Sequence, residues 1–216
     1  KIELTQPFLI DRILQLLGLS TANPQPIPVV KPLLHRDQNG QARIHSWSYR
    51  TVIGMLGYLS GNTRPDILMA VHQCARFNNF PRLSHETAVQ RIGKYLRGSA
   101  TRGILFKPDK SKGIECFVDA DFAGSWQIED SQDPMSAMSR TGYVIRFAGC
   151  PVMWVSKLQS VCSLSTTESE YIALSQSLRD VIPMMELLKE LTTHMSIDNI
   201  SPVINCTVFE DNNGAL

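Results

Sequence analysis

The sequence predicts an α+β or α/β protein, in which a helical region is followed by a mixed β-sheet with packed helices. Three observations lead there. From Trp47 onward apolar residues recur at helical spacing for about fifty residues, and at Gly113 the period shifts to the alternation of strands. The order after Gly113 is then three strands, a helix and a further strand, which few folds other than a mixed sheet with helices on it can accommodate.

The helical region opens with a short amphipathic helix from Phe8 to Leu19, with Phe8, Ile13, Leu16 and Leu17 on its apolar stripe and Gly18 ending it. Pro24, Pro26, Pro28 and Pro32 forbid regular structure, so residues 20–46 form an extended connector or surface loop, with a turn at Asn39-Gly40. Ile53, Leu56, Tyr58 and Leu59 support the next helix. Gly54 and Gly57 lie within it, at a spacing that would let another element approach closely. Pro65 suits the first position of a helix carrying Ile67, Ala70, Val71, Cys74 and Phe77 on one face. Ser84 is the expected N-cap of a third, which turns Ala88, Ile92, Tyr95 and Leu96 inward and closes at Gly98.

In the second half, Ile114 to Asp119 reads as a first strand. Thr141–Phe147 and Val152–Ser156 form a hairpin around Ala148-Gly149-Cys150-Pro151, and Val161–Ser165 continues its second strand. A helix begins near Thr166, and Pro183 must kink or end it before the helical spacing resumes over Met184–Leu191. Val203–Phe209 is the last strand, with Asp211 at its end. The expected organisation is a helical region over residues 1–112 and a sheet domain over 113–216.

Charge is distributed unevenly. Residues 1–112 hold sixteen Lys and Arg against six Asp and Glu, whereas residues 113–216 hold five against fourteen. Such asymmetry suits a polyanion-binding half joined to a half whose acids need a cation, and equally suits two differently solvated surfaces. Arg91, Lys94 and Arg97 follow at three-residue steps along one helix, so with Arg102 just beyond they could track a phosphate backbone; a merely solvated basic face is the simpler reading of that stretch. The five cysteines are scattered and lack C-x-x-C spacing, which excludes a disulfide framework and a zinc site. No apolar run is long enough to cross a bilayer and no signal-peptide pattern opens the chain, so a soluble intracellular protein is expected.

Three stretches carry carboxylates where chemistry could use them: Ile114-Glu-Cys-Phe-Val-Asp-Ala-Asp-Phe-Ala-Gly124, Ser165-Thr-Thr-Glu-Ser-Glu-Tyr171 and Val208-Phe-Glu-Asp-Asn212. Their convergence would create a metal site for nucleic-acid chemistry. Asp119 ends the first strand, while Asp121 falls in the following turn. Glu168 and Glu170 lie about 200° apart around a helix, so only one can enter a given site. Glu170 heads a stripe with Leu174, Leu178 and Val181 that faces the sheet. Glu168 sits with Gln176 and Arg179 and reads as a first-turn acid favoured by the helix dipole. Strand alternation sends Glu210 away from Asp211.

Further stretches complete a resemblance: Tyr49-Arg50-x-x-Ile53-Gly54-x-Leu56-x-Tyr58-Leu59, Thr63-Arg-Pro-Asp-Ile67, Tyr95-Leu-Arg-Gly98, Val118-Asp-Ala-Asp-Phe-Ala-Gly124, Ser139-Arg-Thr-Gly-Tyr143, Trp154-x-Ser156-Lys157-x-Gln159 and Ser165 to Leu174. In their order and spacing, residues 47–211 resemble the end of the Pol polyprotein of copia-type LTR retrotransposons, where the reverse transcriptase thumb or connection region precedes ribonuclease H. The resemblance implies a ribonuclease H-like sheet domain. It would hydrolyse the RNA strand of RNA/DNA hybrids with two Mg²⁺ ions, or Mn²⁺, held by clustered carboxylates.

Carried onto this sequence, the family's catalytic carboxylates fall on Asp119, which would bridge both ions, on Glu170 and on Asp211. Asp121, Ser165 and Thr166 would stand behind them, with Ser165 or Thr166 capping the helix. The family also implies partners: the hybrid, gripped through Arg91, Lys94, Arg97 and Arg102, and the upstream palm and fingers of the same polyprotein, in a virus-like particle in the cytoplasm. Two departures from its pattern bear on function. The family's downstream helix, His-bearing loop and fourth catalytic Asp are not in this sequence, which leaves an incomplete sheet domain and a weakened second ion site. The polymerase Tyr-x-Asp-Asp signature is also missing, so no DNA synthesis is expected. A non-catalytic nucleic-acid-binding remnant, or an integrase- or resolvase-like nuclease, stands as the alternative.

Overall fold

The structure, a computed structural model, describes residues 1–128, 131–194, 204–212 and 214. Its elements in chain order are β1 (Ile2–Leu4), α1 (Pro7–Leu17), α2 (Tyr49–Asn62), α3 (Leu68–Ala75), α4 (Leu83–Arg97), β2 (Ile104–Phe106), β3 (Ile114–Asp121), β4 (Arg140–Phe147), β5 (Cys150–Leu158), α5 (Thr166–His194) and β6 (Cys206–Phe209). The architecture is mixed α+β, divided into two compact units. A helical unit takes Glu3–Ile104 with Gln127, Ile128, Ser131 and Gln132, and a sheet unit takes Lys1, Ile2, Leu105–Trp126 and the described residues from Asp133 on. Leu105–Lys112, read from the sequence as the exit of the helical region, therefore groups with the sheet. Backbone bonds explain it: Asp109 N–H donates to Ala148 O at 2.9 Å, and Ala148 N–H donates to Gly113 O at 3.1 Å.

In the helical unit, Pro7 occupies the first turn of α1, and Gly18 at φ +68° ends it while Leu19 N–H returns to Leu14 O at 2.8 Å. The buried stripe is Ile10, Ile13, Leu14 and Leu17. Phe8 and Leu16, expected on that stripe, are exposed because each lies about 200° from a buried position two residues away. Ser48 Oγ accepts Thr51 N–H and caps α2, whose Val52, Ile53, Leu56 and Leu59 enter the core while Tyr58 stays outside. The close approach expected at Gly54 and Gly57 does not occur: a Cβ added at either would meet no atom within 4 Å. Pro65 begins a 3₁₀ turn that leads into α3, and Ile67, Ala70, Val71, Cys74 and Phe77 are buried as expected.

Two polar clamps hold this unit. Buried Arg64 pairs through Nε and Nη2 with the Asp66 carboxylate and gives Nη1 to Ser99 O at 2.9 Å, so its charge is matched on every side. The second clamp organises residues 20–46. Glu86, buried on the first turn of α4, accepts Arg43 Nε at 3.1 Å and Ile44 N–H at 2.9 Å. Burial opposes its charge, but the hydrogen bonds from Ile44 and His45 and the Arg43 guanidinium outweigh it and hold the carboxyl below the usual range. Ser84, expected to cap α4, is its second residue and donates to the Asp37 carboxylate instead. Arg82 occupies the cap position, its N–H accepted by His85 Nδ1 at 2.9 Å.

The sheet unit has four strands in the order β5-β4-β3-β6, antiparallel except for β3 beside β6. Ala148 and Gly149, both at positive φ, make the tight β4–β5 turn, which is shorter than the four-residue loop expected. Residues 161–165 are not strand: β5 ends at Leu158, and Gln159 N–H turns back to Ser139 O at 2.8 Å. Helix α5 runs unbroken through Pro183, where a kink or end was expected. That proline is exposed, and Val181 on one side and Met184, Met185 and Leu188 on the other pack on the sheet core. The buried residues of α5 include Glu170, Ala173, Ser177 and Val181, while Leu174, expected to face the sheet, packs half-buried against its core and Leu178 is half-buried. Small side chains at 173 and 177 let the helix lie close over Ile114, Cys116, Val118, Tyr143 and Ile145. Val203, expected to start β6, lies outside the described residues. No helix among the described residues is long and apolar enough to cross a membrane.

Candidate metal centre

Strand β3 alternates inward Ile114, Cys116 and Val118 with outward Phe117 and Asp119. Its parallel register with β6 pairs Phe117 with Phe209, so Asp119 and Asp211, each two residues further on, come level at the same end of the sheet. Helix α5 crosses from β5 to β6 over the opposite face and delivers Glu170 from its second turn. Asp119, Glu170 and Asp211 each offer a carboxylate oxygen within 4.8 Å of the others. Among the described residues this trio is the sole cluster of potential ligands.

Glu170 sits deepest. It is 5% exposed, whereas Asp119 and Asp211 are open to solvent. Its Oε2 is buried without a hydrogen-bond partner. Burial first, then the charges of Glu210, Asp119 and Asp211, push the Glu170 carboxyl up to about 7, against a hydrogen bond from Ala120 N–H. The site is thus short of positive charge, and a cation or a proton must supply it.

Glu210, expected to point away from Asp211, is not among the three converging carboxylates, and its Oε1 accepts Asn212 N–H at 3.1 Å. Asp121 was expected in a turn but is the last residue of β3, paired with Arg140. It stays outside the trio. Ser165 Oγ accepts Glu168 N–H at 3.1 Å while Glu168 Oε2 accepts Leu164 N–H at 2.7 Å, a reciprocal cap that leaves Ser165, Thr166 and Glu168 serving the helix end.

One supporting residue carried no role in the sequence reading. Gln159 is 1% exposed; its Nε2 donates to Ser169 O at 2.8 Å and to Thr141 Oγ1 at 3.2 Å, tying β4 to the residue that precedes Glu170. Its signal was present in the Trp154 to Gln159 stretch, as a glutamine just past a strand. Two of the basic residues also serve the fold. Arg91 Nε donates to Ile27 O at 3.1 Å and Arg97 Nε to Ser20 O at 2.8 Å, so both hold the proline-rich connector. Lys94 is half-buried, and Arg102 is exposed.

The chain is 32% identical over 203 residues to the Retrovirus-related Pol polyprotein from transposon TNT 1-94 of Nicotiana tabacum, covering 90% of this chain and 14% of that protein. It is 30% identical over 214 residues to the Retrovirus-related Pol polyprotein from transposon RE1 of Arabidopsis thaliana, covering 99% of this chain and again 14% of the relative. A third relative, Secreted RxLR effector protein 161 of Plasmopara viticola, is 34% identical over 134 residues, 62% of this chain and 89% of that protein. No family model and no solved structure matches. The chain therefore spans 14% of the length of either polyprotein it matches end to end. With about 30% identity sustained over nine tenths or more of its residues, the chain belongs to the Pol polyprotein family of copia-type retrotransposons.

Proposed function

We propose that the sheet unit is a ribonuclease H-like nuclease, which hydrolyses the RNA strand of RNA/DNA hybrids during reverse transcription. Two Mg²⁺ ions, with Mn²⁺ as a substitute, would be held by Asp119, Glu170 and Asp211. The observation that carries the reading is the convergence of those three carboxylates within 4.8 Å, from positions far apart in the chain. The strand order supports it as well: three antiparallel strands, a crossover helix and a fourth strand parallel to the first bring strand-end acids and a helical acid to one place.

The residues fit the ions. All three donors are carboxylate oxygens, the hard ligands that Mg²⁺ and Mn²⁺ take, and no sulfur or imidazole stands among them. The buried, unpartnered Oε2 of Glu170 is a ligand atom waiting for a cation. When bound, the ions supply a water of lowered pKa and charge stabilisation for the leaving 3′ oxygen. The chain's own residues do the rest. Gln159 fixes the Ser169 carbonyl just before Glu170. Glu170 gives up its proton as a cation enters, and exposed Asp119 and Asp211 face the solvent side from which a phosphate backbone would arrive. No side-chain nucleophile is needed.

Lys94 and Arg102, with Arg91 and Arg97 through the nitrogens that do not hold the connector, would contact the hybrid. Further parts of the same polyprotein, including the polymerase palm and fingers, are the proposed protein partners, in a cytoplasmic virus-like particle. The test is cleavage of a labelled RNA/DNA hybrid in Mg²⁺ and in Mn²⁺ by the chain and by its Asp119→Asn and Glu170→Gln variants. Cleavage by the chain and its loss in both variants is expected. Hybrid binding without cleavage would reduce the chain to a nucleic-acid-binding remnant.

A further inference from the structure

Helix α4 and the connector meet at a histidine. His85 is 0% exposed, and its ring lies flat against that of Phe77, with centroids 4.0 Å apart and planes 4° from parallel. Nδ1 accepts Arg82 N–H at 2.9 Å and so carries no proton; the ring is therefore the tautomer protonated at Nε2, which donates to His35 O at 2.8 Å. The first bond closes the opening turn of α4, and the second holds the connector from 50 residues away in the chain. Both require a neutral ring. An imidazolium has two donors and no acceptor, so a proton added at Nδ1 would face Arg82 N–H where water does not reach.

We propose that His85 is an acid-sensitive lock on the helical unit: its protonation breaks the bond to Arg82 N–H, and the proton is accommodated only when the first turn of α4 and the connector come apart. The charged groups nearby come from three elements. The connector supplies His35 and Asp37, α4 and its cap supply Glu86 and Arg82, and Arg76 at the end of α3 lies over the Phe77 ring at 5.3 Å. Asp37 favours a cation, but its carboxylate already accepts Ser84 Oγ–H, and Glu86 is turned to Arg43 and Ile44. Burial lowers the ring's affinity for a proton most; the charges of His35 and Arg82 add to it, against the His35 carbonyl and Asp37. With the folded-state value below the ordinary 6.5, the opened state takes up the proton first. The lock is thus whole above pH 6.5, and each pH unit below that multiplies the opened population by about ten until the closed ring itself titrates. Two other histidines lie close by. His35 Nδ1 accepts Asp37 N–H at 3.1 Å, so it must be separated by experiment; His45 pairs with Glu86, and its protonation would act in the opposite sense.

The test is hydrogen exchange followed by mass spectrometry on the whole chain, read in peptides covering residues 35–45 and α4 at pH 5.5 and pH 7.5, for the parent, His85→Gln and His35→Gln. Glutamine at 85 accepts Arg82 N–H and donates to His35 O without titrating, and rates compared at one pH cancel the intrinsic pH dependence of exchange. The ratio of opening in the parent to opening in His85→Gln should rise by about tenfold from pH 7.5 to pH 5.5, and His35→Gln should keep the parent's rise. A rise of less than twofold, or one that persists in His85→Gln and vanishes in His35→Gln, would overturn the lock. Ring ¹⁵N shifts of the parent give a readout that does not depend on a variant folding. His85 should show a bare Nδ1 at pH 7.5 and titrate below 6.5; titration at or above 6.5 would overturn the proposal equally.

Discussion

Replacing Glu170 by glutamine should stabilise the metal-free fold at alkaline pH while removing a ligand. In the folded chain this carboxyl is pushed up to about 7, against an unfolded value near 4.5. Because the folded pKa is the higher one, the folded state holds more protons between those values. The associated stability is fully present below about pH 4.5 and is lost as pH rises through 7. A gap of this size corresponds to about 3 kcal/mol, and solvent reaching the open aspartate side screens it to about 2 kcal/mol. For a unit of this size that is about 8 °C in melting temperature. Melts followed by circular dichroism in chelator, at pH 5 and pH 8, give the comparison. The gain of Glu170→Gln over the parent should be small at pH 5 and should grow by about 2 kcal/mol at pH 8. Adding Mg²⁺ at pH 8 should then stabilise the parent and not the variant. A gain equal at both pH values would refute the argument that the cluster is charge-frustrated.

Glu86→Gln should destabilise the helical unit by about 2 to 3 kcal/mol in urea unfolding at pH 7, since it removes the charge that Arg43 pairs with and weakens two backbone bonds. Its carboxyl is held low, so that contribution is present above the usual carboxylate range and should fade as pH falls beneath it. Arg97→Gln and Arg102→Gln separate a residue that serves both scaffold and contact from one that serves contact alone. The first should lower stability by about 1 kcal/mol through loss of the bond to Ser20 O and also reduce the salt dependence of hybrid binding. The second should leave stability alone and reduce the slope of log affinity against log salt by about 1.

The convergence of Asp119, Glu170 and Asp211 was legible because each sits near the end of an element, and ends are marked by changes of period that survive in a single sequence. Asp119 lies among the last residues of the apolar strand β3, Asp211 just past the end of β6, and Glu170 in the second turn of a helix whose polar neighbour Glu168 is accounted for by its cap. What was illegible depends on contacts distant in the chain. Ser84 looks like a cap until Asp37 claims its hydroxyl and Arg82 takes the position. On α5 the expected stripe holds at Glu170, Leu174 and Val181, but its centre was hidden: the fully buried positions between them are the small Ala173 and Ser177, over which the helix can approach the sheet. The second task of Arg91 and Arg97, holding the connector, was hidden because the carbonyls they bind, Ile27 and Ser20, lie in a segment with no pattern of its own.

That segment has a consequence for how the chain meets proteases. By composition residues 20–46 are a linker, the place where nicking and insertion are normally tolerated. Here Leu19 and Leu34 are buried, Glu86 grips the 43–45 backbone, and two arginines of α4 hold carbonyls at 20 and 27. An extended stretch secured at four points cannot enter a protease cleft until the helices beneath it let go. Cleavage there should therefore report the opening of the whole helical unit, with a rate that follows its unfolding free energy rather than the local abundance of proline.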